Sequence, residues 1–168
     1  MISFGLVISI LVVFLALLTI YLGVKIVPQS KVFVIERFGR YNRTLNAGLS
    51  LIIPYLDSVA HRIDILERQL ESQRISVITR DNVEVELETS VFYRVIDASR
   101  SVYRISNIDQ ALTTETAAVV RSAAGKLELD ELQSSRDKMN AEIASTLSPS
   151  ADEWGINITR TSITDVII

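Results

Sequence analysis

The feature that most constrains this sequence is its first 24 residues, which contain no Asp, Glu, Lys, Arg or His. A helix of that length rises about 36 Å, which is enough to cross a hydrocarbon core of about 30 Å. The small hydroxyls within it, on Ser3, Ser9 and Thr19, can hydrogen-bond to helical carbonyls. The sequence therefore predicts a transmembrane helix over residues 1–24 that holds the rest of the chain at a membrane.

Two other interpretations of the apolar run fit less well. A cleaved signal peptide has a basic start, a shorter apolar core and a small-x-small cleavage site, and residues 20–24 (IYLGV) offer no Ala-x-Ala. A helix buried in a soluble core seldom contains so long an unbroken apolar run. A retained membrane anchor is the interpretation that we prefer.

Basic residues predict the orientation of this anchor. None precedes the apolar run, and five follow it within about 20 residues: Lys25, Lys31, Arg37, Arg40 and Arg43. This asymmetry favours an N-terminus outside the cell and a cytoplasmic domain. We therefore expect a single-pass protein of the cell inner (plasma) membrane.

Composition excludes several classes of chemistry. The chain has no Cys and one His, so disulfides, thiolate metal sites, Cys nucleophiles and His-rich metal sites are excluded or nearly so. The net charge of −3, with both signs interspersed, gives no nucleic-acid footprint. No Gly-rich phosphate loop and no G-x-S-x-G motif occurs in the sequence. We therefore expect no enzyme activity, no cofactor and no nucleic-acid partner.

The region after the anchor reads first as strands and then as helices, which predicts an α+β fold. Strands are predicted at 32–35, 74–79, 83–95 and 156–163, with turns at 39–42, 80–82 and 154–155. One helix begins at Asn107 with a capping box to Gln110 and stops near Gly125. A second follows Ser135, and residues 148–150 (SPS) are expected to end or kink it.

An apolar segment at residues 45–56 is too short to span a membrane. One interpretation is a buried loop and strand. The other is a segment that rests in the membrane interface close to the anchor, with Tyr55 at the level of the headgroups. The residues alone leave both open, because short apolar runs are ambiguous.

Three carboxylates alternate along one predicted strand: Glu84, Glu86 and Glu88, opposite Val83, Val85 and Leu87. Such a row could hold a divalent ion, but same-face neighbours lie about 7 Å apart along a strand and nothing nearby completes a ligand set. A solvated face of an antiparallel sheet is the better interpretation.

Several stretches resemble a stomatin-type SPFH (band 7, prohibitin-homology) protein of the bacterial stomatin-like, or paraslipin, branch. They run in the family's order across nearly the whole chain: VKIVPQ at 24–29, VIERFGRY at 34–41, LNAGLSLIIPYLD at 45–57, TRDNVEV at 79–85, LDEL at 129–132, SRD at 135–137 and WGI at 154–156.

The resemblance implies an SPFH domain with a β-rich first subdomain at 25–97 and an α+β second subdomain at 98–168. It favours the interfacial interpretation of 45–56, with a membrane-contacting set of Leu49, Leu51, Ile52, Ile53, Pro54, Tyr55 and Leu56. Members of the family are non-enzymatic scaffolds that assemble into rings or cages, organise membrane microdomains and act with partner proteins.

The implied partners are the lipid bilayer, further copies of the chain, and an NfeD-type membrane protein or an FtsH-type membrane protease. The family's long C-terminal helical segment, a coiled coil, is absent from the sequence as given, either because the sequence is a fragment of a longer protein or because this member lacks the segment. In the second case the alternative function is a membrane-tethered regulator of a membrane protease or channel that does not assemble.

Overall fold

The computed structural model describes residues 4–167, and the chain divides into two compact units, Met1–Asp64 and Ile65–Ile168. Helices and antiparallel sheets occur together, which confirms the α+β class. The sequence-based subdomain boundary at residue 97 differs from this division at residue 64. The difference arises because the strand at 84–95 pairs with the last strand of the chain, and the two short strands at 68–69 and 73–78 pair with that same strand.

The first unit begins with helix α1, Phe4–Gly23, which has a mean hydropathy of 2.8 and is long and apolar enough to cross a membrane. The Ser and Thr hydroxyls of this helix are satisfied within it. Ser9 Oγ donates to the Gly5 carbonyl at 2.9 Å, and Thr19 Oγ1 donates to the Leu15 carbonyl at 2.8 Å. Such internal hydrogen bonds are what a helix needs in a medium without water.

Five strands complete the first unit. They are β1 (Val24–Val27), β2 (Lys31–Arg37), β3 (Arg40–Leu45), β4 (Gly48–Leu51) and β5 (Asp57–Asp64). Strand β2 lies between β3 and β5 in one antiparallel sheet, and β1 and β4 form a separate two-stranded ribbon. Residues 32–35 of β2 are all buried, as the sequence predicts for a strand covered on both faces.

The turn between β2 and β3 is shorter than predicted. Residues 39–42 were expected to form it, but Arg40 already begins β3 and the turn consists of Phe38 and Gly39 alone. Both have positive φ angles, of 51° and 75°, which is the signature of a two-residue type I′ hairpin. The right-handed twist of the flanking strands favours that tight connection.

The second unit is a sheet covered by helices. Its elements are β6 (Arg68–Gln69), β7 (Gln73–Ile78), β8 (Glu84–Val95), α2 (Ala98–Tyr103), α3 (Ile108–Ala124), α4 (Leu129–Ser134), α5 (Arg136–Glu153) and β9 (Ile156–Ile167). Strand β8 is central, because β9 pairs along one edge and β7 and β6 along the other. Its predicted alternation is confirmed: Val85 and Leu87 are buried, whereas Glu84 and Glu86 are exposed.

The core of this unit lies between the apolar face of the sheet and helices α3 and α5. Met139, Ile143 and Leu147 all lie in it, as their spacing predicts. Asn107 caps α3 as predicted, since its side chain accepts a hydrogen bond from the Gln110 N–H at 3.1 Å. The shared core holds α3 and α5 on the same face of the sheet.

Residues 148–150 were expected to end or kink helix α5, and the first of these two expectations is wrong. The helix continues through Pro149 to Glu153. Leu147 and Ala151 are buried on either side of the proline, whose own side chain is exposed, so packing holds the helix where its backbone ladder is weakest. The last strand also extends four residues past its predicted end at 163, to Ile167.

Candidate membrane-contact site

The end of the anchor helix is bonded directly to the apolar segment at 45–56. Gly23 is buried, and its carbonyl accepts a hydrogen bond from the Ile52 N–H at 2.8 Å. A Cβ atom at Gly23 would lie 2.8 Å from the Ile52 carbonyl oxygen, so only glycine allows this approach. Strand β1 follows at Val24 without a linker.

The β1–β4 ribbon carries an apolar face that its own unit does not cover. Val24 pairs with Leu51 and Ile26 with Leu49, which places these four side chains on one face. Ile26 is 75 % exposed, Leu49 73 % and Leu51 62 %. Water is a poor environment for such a face, because burying apolar surface is worth about 25 cal/mol per Å².

The segment after β4 extends the apolar surface. Ile53, Tyr55 and Leu56 are exposed, and Tyr55 is 77 % exposed with a positive φ of 71°. Pro54 is half-buried. Ile52 differs from the other six residues of the predicted membrane-contacting set, because it is only 7 % exposed and packs in a cluster with Val27, Phe33, Ile35 and Leu45. Ile52 therefore fixes the segment to its own unit.

An ion pair holds the other end of this segment. Arg37 Nε lies 2.7 Å from Asp57 Oδ1, and the Asp57 side chain is fully buried. Asp57 Oδ2 accepts a hydrogen bond from the Ile53 N–H at 3.1 Å, and the Asp57 N–H donates to the Ile53 carbonyl at 2.9 Å. The Arg37 guanidinium and the Ile53 N–H hold the pKa of Asp57 below its usual range.

Beyond the anchor helix, this unit also exposes apolar or aromatic residues outside the predicted set, among them Ile26 and Phe38. Ile26 reaches the apolar face only through its register with Leu49, and this pairing is not readable from the sequence. Phe38, at the tip of the β2–β3 hairpin, is 79 % exposed. The exposure of Phe38 could have been predicted from the run at 37–40 (RFGR), since an aromatic residue beside the glycine of a tight turn has little to pack against.

The described part of the second unit, residues 65–167, contains the row of carboxylates predicted on β8. Glu84 and Glu86 are solvent-exposed, and no three His, Cys, Asp or Glu side chains in this range are placed to hold a metal ion. A cavity of about 370 Å³ is lined in part by Arg68, Tyr93 and Asp109. Burial, followed by the hydrogen bond that the phenol donates to Asp109, raises the pKa of Tyr93 to about 12. The phenol is therefore a partnered donor at neutral pH.

Several proteins of other organisms are similar to most of this chain. A protein of Mycobacterium tuberculosis with no assigned function is 32 % identical over 162 residues, which cover 96 % of this chain and 42 % of that protein. Human stomatin-like protein 2, mitochondrial, is 33 % identical over 143 residues, covering 85 % of this chain and 40 % of the relative. An uncharacterized protein of the archaeon Methanothermobacter thermautotrophicus is 31 % identical over 157 residues, covering 94 % and 49 %.

The chain thus spans less than half the length of these relatives. The apolar helix and the stomatin-like relatives indicate a membrane protein, and its family is generally one of non-enzymatic scaffolds and regulators. The family model "SPFH domain / Band 7 family" matches residues 25–168, that is, everything after the anchor. The chain therefore belongs to the SPFH domain / Band 7 family.

Proposed function

We propose that this chain is the anchor and membrane-proximal domain of a homo-oligomeric scaffold, without enzyme activity, that organises a membrane microdomain and modulates partner membrane proteins or proteases. The observation that supports it most is the direct bond between the end of α1 and the apolar segment at 45–56. Partners of the NfeD type or the FtsH type fit this role.

In this proposal the domain rests on the bilayer through the face formed by Leu49, Leu51, Ile53, Pro54, Tyr55 and Leu56. A helix that spans the membrane ends at Gly23, and the ribbon begins one residue later, so the ribbon lies at the depth where the helix leaves the hydrocarbon. At that depth the interface covers apolar side chains, and the Tyr55 ring meets the headgroups.

Depth-dependent fluorescence quenching tests this contact. In a Trp154→Phe background, Tyr55→Trp places the only tryptophan in the segment, and lipids brominated near the headgroup are expected to quench it in nanodiscs. Lys31→Trp is the control, because Lys31 lies at the far end of strand β2, roughly 20 Å from Arg37. Equal quenching at 31 and 55, or none at 55, would overturn the membrane contact.

Native mass measurement tests assembly. The full-length protein, extracted with a mild detergent, is expected to run as a large homo-oligomer. A monomer that still co-purifies with one protease or channel subunit would instead support the alternative, a tethered regulator that does not assemble. Capture of an NfeD-type or FtsH-type protein would identify the client class.

Thiol labelling tests orientation in the inner (plasma) membrane, with the N-terminus outside and the domain cytoplasmic. Ser3→Cys and Ser122→Cys supply the only thiols, since the chain has no Cys. Ser122 is an exposed residue of α3. An impermeant reagent added outside intact cells should label position 3 and not position 122; the reverse pattern would overturn this orientation.

A further inference from the structure

The tip of the β2–β3 hairpin holds a bulky aromatic residue, Phe38, at a position where it does not contribute to the core of the domain. Phe38 has a φ of 51°, in the left-handed region that Asn and Gly tolerate and that is strained for a large side chain. Phe38 is 79 % exposed, so the packing of its ring within the domain does little to offset the backbone strain. Asn or Gly would form the same type I′ turn at lower cost, which suggests that the Phe38 ring serves a contact outside the domain.

Hydrogen bonds place this tip at the same end of the first unit as the anchor. Arg37, next to Phe38, is paired with Asp57, which is bonded to Ile53 on both its side chain and its backbone. The neighbouring Ile52 is bonded to Gly23 at the end of α1. The Phe38 tip therefore lies beside the segment that we propose to contact the membrane.

The same end of the unit is basic. Apart from Lys31 at the far end of β2, residues 24–57 contain four basic side chains and two acidic ones, and the ion pair between Arg37 and Asp57 cancels one charge of each sign. Arg43 donates to the Leu51 carbonyl, which holds a second guanidinium beside the segment. Arg40 is exposed, and no carboxylate within residues 4–167 lies at ion-pairing distance from it. A planar guanidinium of this kind suits a phosphate group.

We propose that the β2–β3 hairpin tip is an anionic-phospholipid contact, in which the Phe38 ring enters the membrane interface and the Arg40 guanidinium binds the phosphate of an anionic lipid headgroup. This inference rests on the proposed membrane contact of the 45–56 segment and adds a second point of contact with a defined lipid chemistry. An exposed aromatic ring flanked by a guanidinium fits the headgroup layer, where amphipathic rings and basic side chains are both favourable.

The first test locates the tip. Phe38→Trp in the Trp154→Phe background should be quenched by headgroup-brominated lipids in nanodiscs, as strongly as Tyr55→Trp, while Lys31→Trp is not. If position 55 is quenched and position 38 is not, the hairpin inference is overturned and the proposed membrane contact stands. If neither is quenched, both are overturned.

The second test measures lipid preference. The association of spin-labelled phosphatidylglycerol relative to phosphatidylcholine is compared for the full chain in phosphatidylcholine vesicles. Arg40→Gln is expected to reduce the preference about fivefold, which is the contribution of one basic residue at a membrane surface. Arg94→Gln, a matched change at an exposed arginine of strand β8, should leave it unchanged. An unchanged preference in Arg40→Gln, or an equal loss in both variants, would overturn the headgroup assignment.

A third variant separates contact from folding. Phe38→Gly relieves the backbone strain, so it should melt at the same temperature as the parent chain or higher. Its hairpin, probed by a spin label at Asn42→Cys on an exposed position of β3, should nevertheless lie further from the bilayer than in the parent. A lower melting temperature together with an unchanged depth would show that the Phe38 ring serves the fold, and would overturn the inference.

Discussion

At the scale of single residues, Gly23 decides whether the anchor and the apolar segment can be joined. The Ile52 N–H and carbonyl both face it, one as a hydrogen-bond donor to the Gly23 carbonyl and the other within 2.8 Å of where a Cβ would stand. The Ile52 carbonyl belongs to the backbone, so it cannot move aside as the end of a flexible side chain can. A methyl group at this position would therefore push the segment away from the helix.

Gly23→Ala is accordingly expected to destabilise the junction by about 1–3 kcal/mol, the usual cost of overpacking. The hydrogen bond from Ile52 to Gly23 would lengthen, so amide exchange at Ile52 should accelerate about fivefold or more in nanodiscs. Gly5→Ala is the matched control in the same helix, because nothing lies within 4 Å of its Cβ position. Equal exchange at Ile52 in the two variants would contradict the close contact.

Asp57 makes the same segment sensitive to acid. Its pKa is lowered by the Arg37 guanidinium and the Ile53 N–H, so its charged form stabilises the folded state above the unfolded pKa of about 3.9. That contribution is lost as the pH falls from about 4 through the lower folded pKa. The protection factor of the Ile53 amide should therefore drop in this range.

Asp57→Asn should abolish this pH dependence and leave the Ile53 amide poorly protected at neutral pH as well. Asp137→Asn, at an exposed carboxylate of α5, is the control and should behave as the parent chain does. The role of Asp57 would be refuted by an Ile53 amide that keeps the parent's protection and pH profile in Asp57→Asn.

At the scale of elements, the sequence was most informative where one periodic pattern ran unbroken. The alternation from Val83 to Val95 and the spacing of Met139, Ile143 and Leu147 both predicted the buried faces, because one side of each element meets the core. Local rules failed where tertiary packing overrode them. Pro149 is a helix breaker by propensity, yet buried Leu147 and Ala151 hold α5 together across it.

Pro149→Ala is expected to stabilise the chain by about 1–2 kcal/mol. Alanine restores a backbone donor and costs about 3 kcal/mol less than proline inside a helix, and part of this gain is lost because the unfolded chain becomes more flexible. Thermal unfolding measures the effect. Ser148→Ala, at the exposed neighbour, should change stability much less. No gain for Pro149→Ala would indicate that α5 does not continue through this position.

The sequence predicted which segment forms the candidate site, but it did not predict which of its residues are exposed. Its apolar composition at residues 45–56 was visible in the sequence, but the side that each residue faces depends on pairing register. Ile26 joins the exposed face only because it pairs with Leu49, and Ile52 leaves it because its side chain packs in the cluster around Phe33. Such long-range partners carry no local signal.

At the scale of the whole molecule, polarity is distributed very unevenly along the chain. No charged residue occurs in the first 24 positions, and five basic residues follow before residue 44. The insertion machinery reads this difference, retaining the more basic flank in the cytoplasm. The proposed orientation therefore depends on a few residues at the two ends of α1, and not on the folded units.

Basic residues added before the helix should shift the orientation. Ile2→Lys combined with Ser3→Lys places two positive charges on the flank that now has none, so a measurable fraction of the chains should insert in reverse. That fraction is the share of Ser122→Cys labelled from outside intact cells. Ile2→Glu with Ser3→Glu is the matched control, because acidic residues contribute little to the rule. An equal shift in both variants, or none with lysine, would mean that the asymmetry around α1 does not set the orientation.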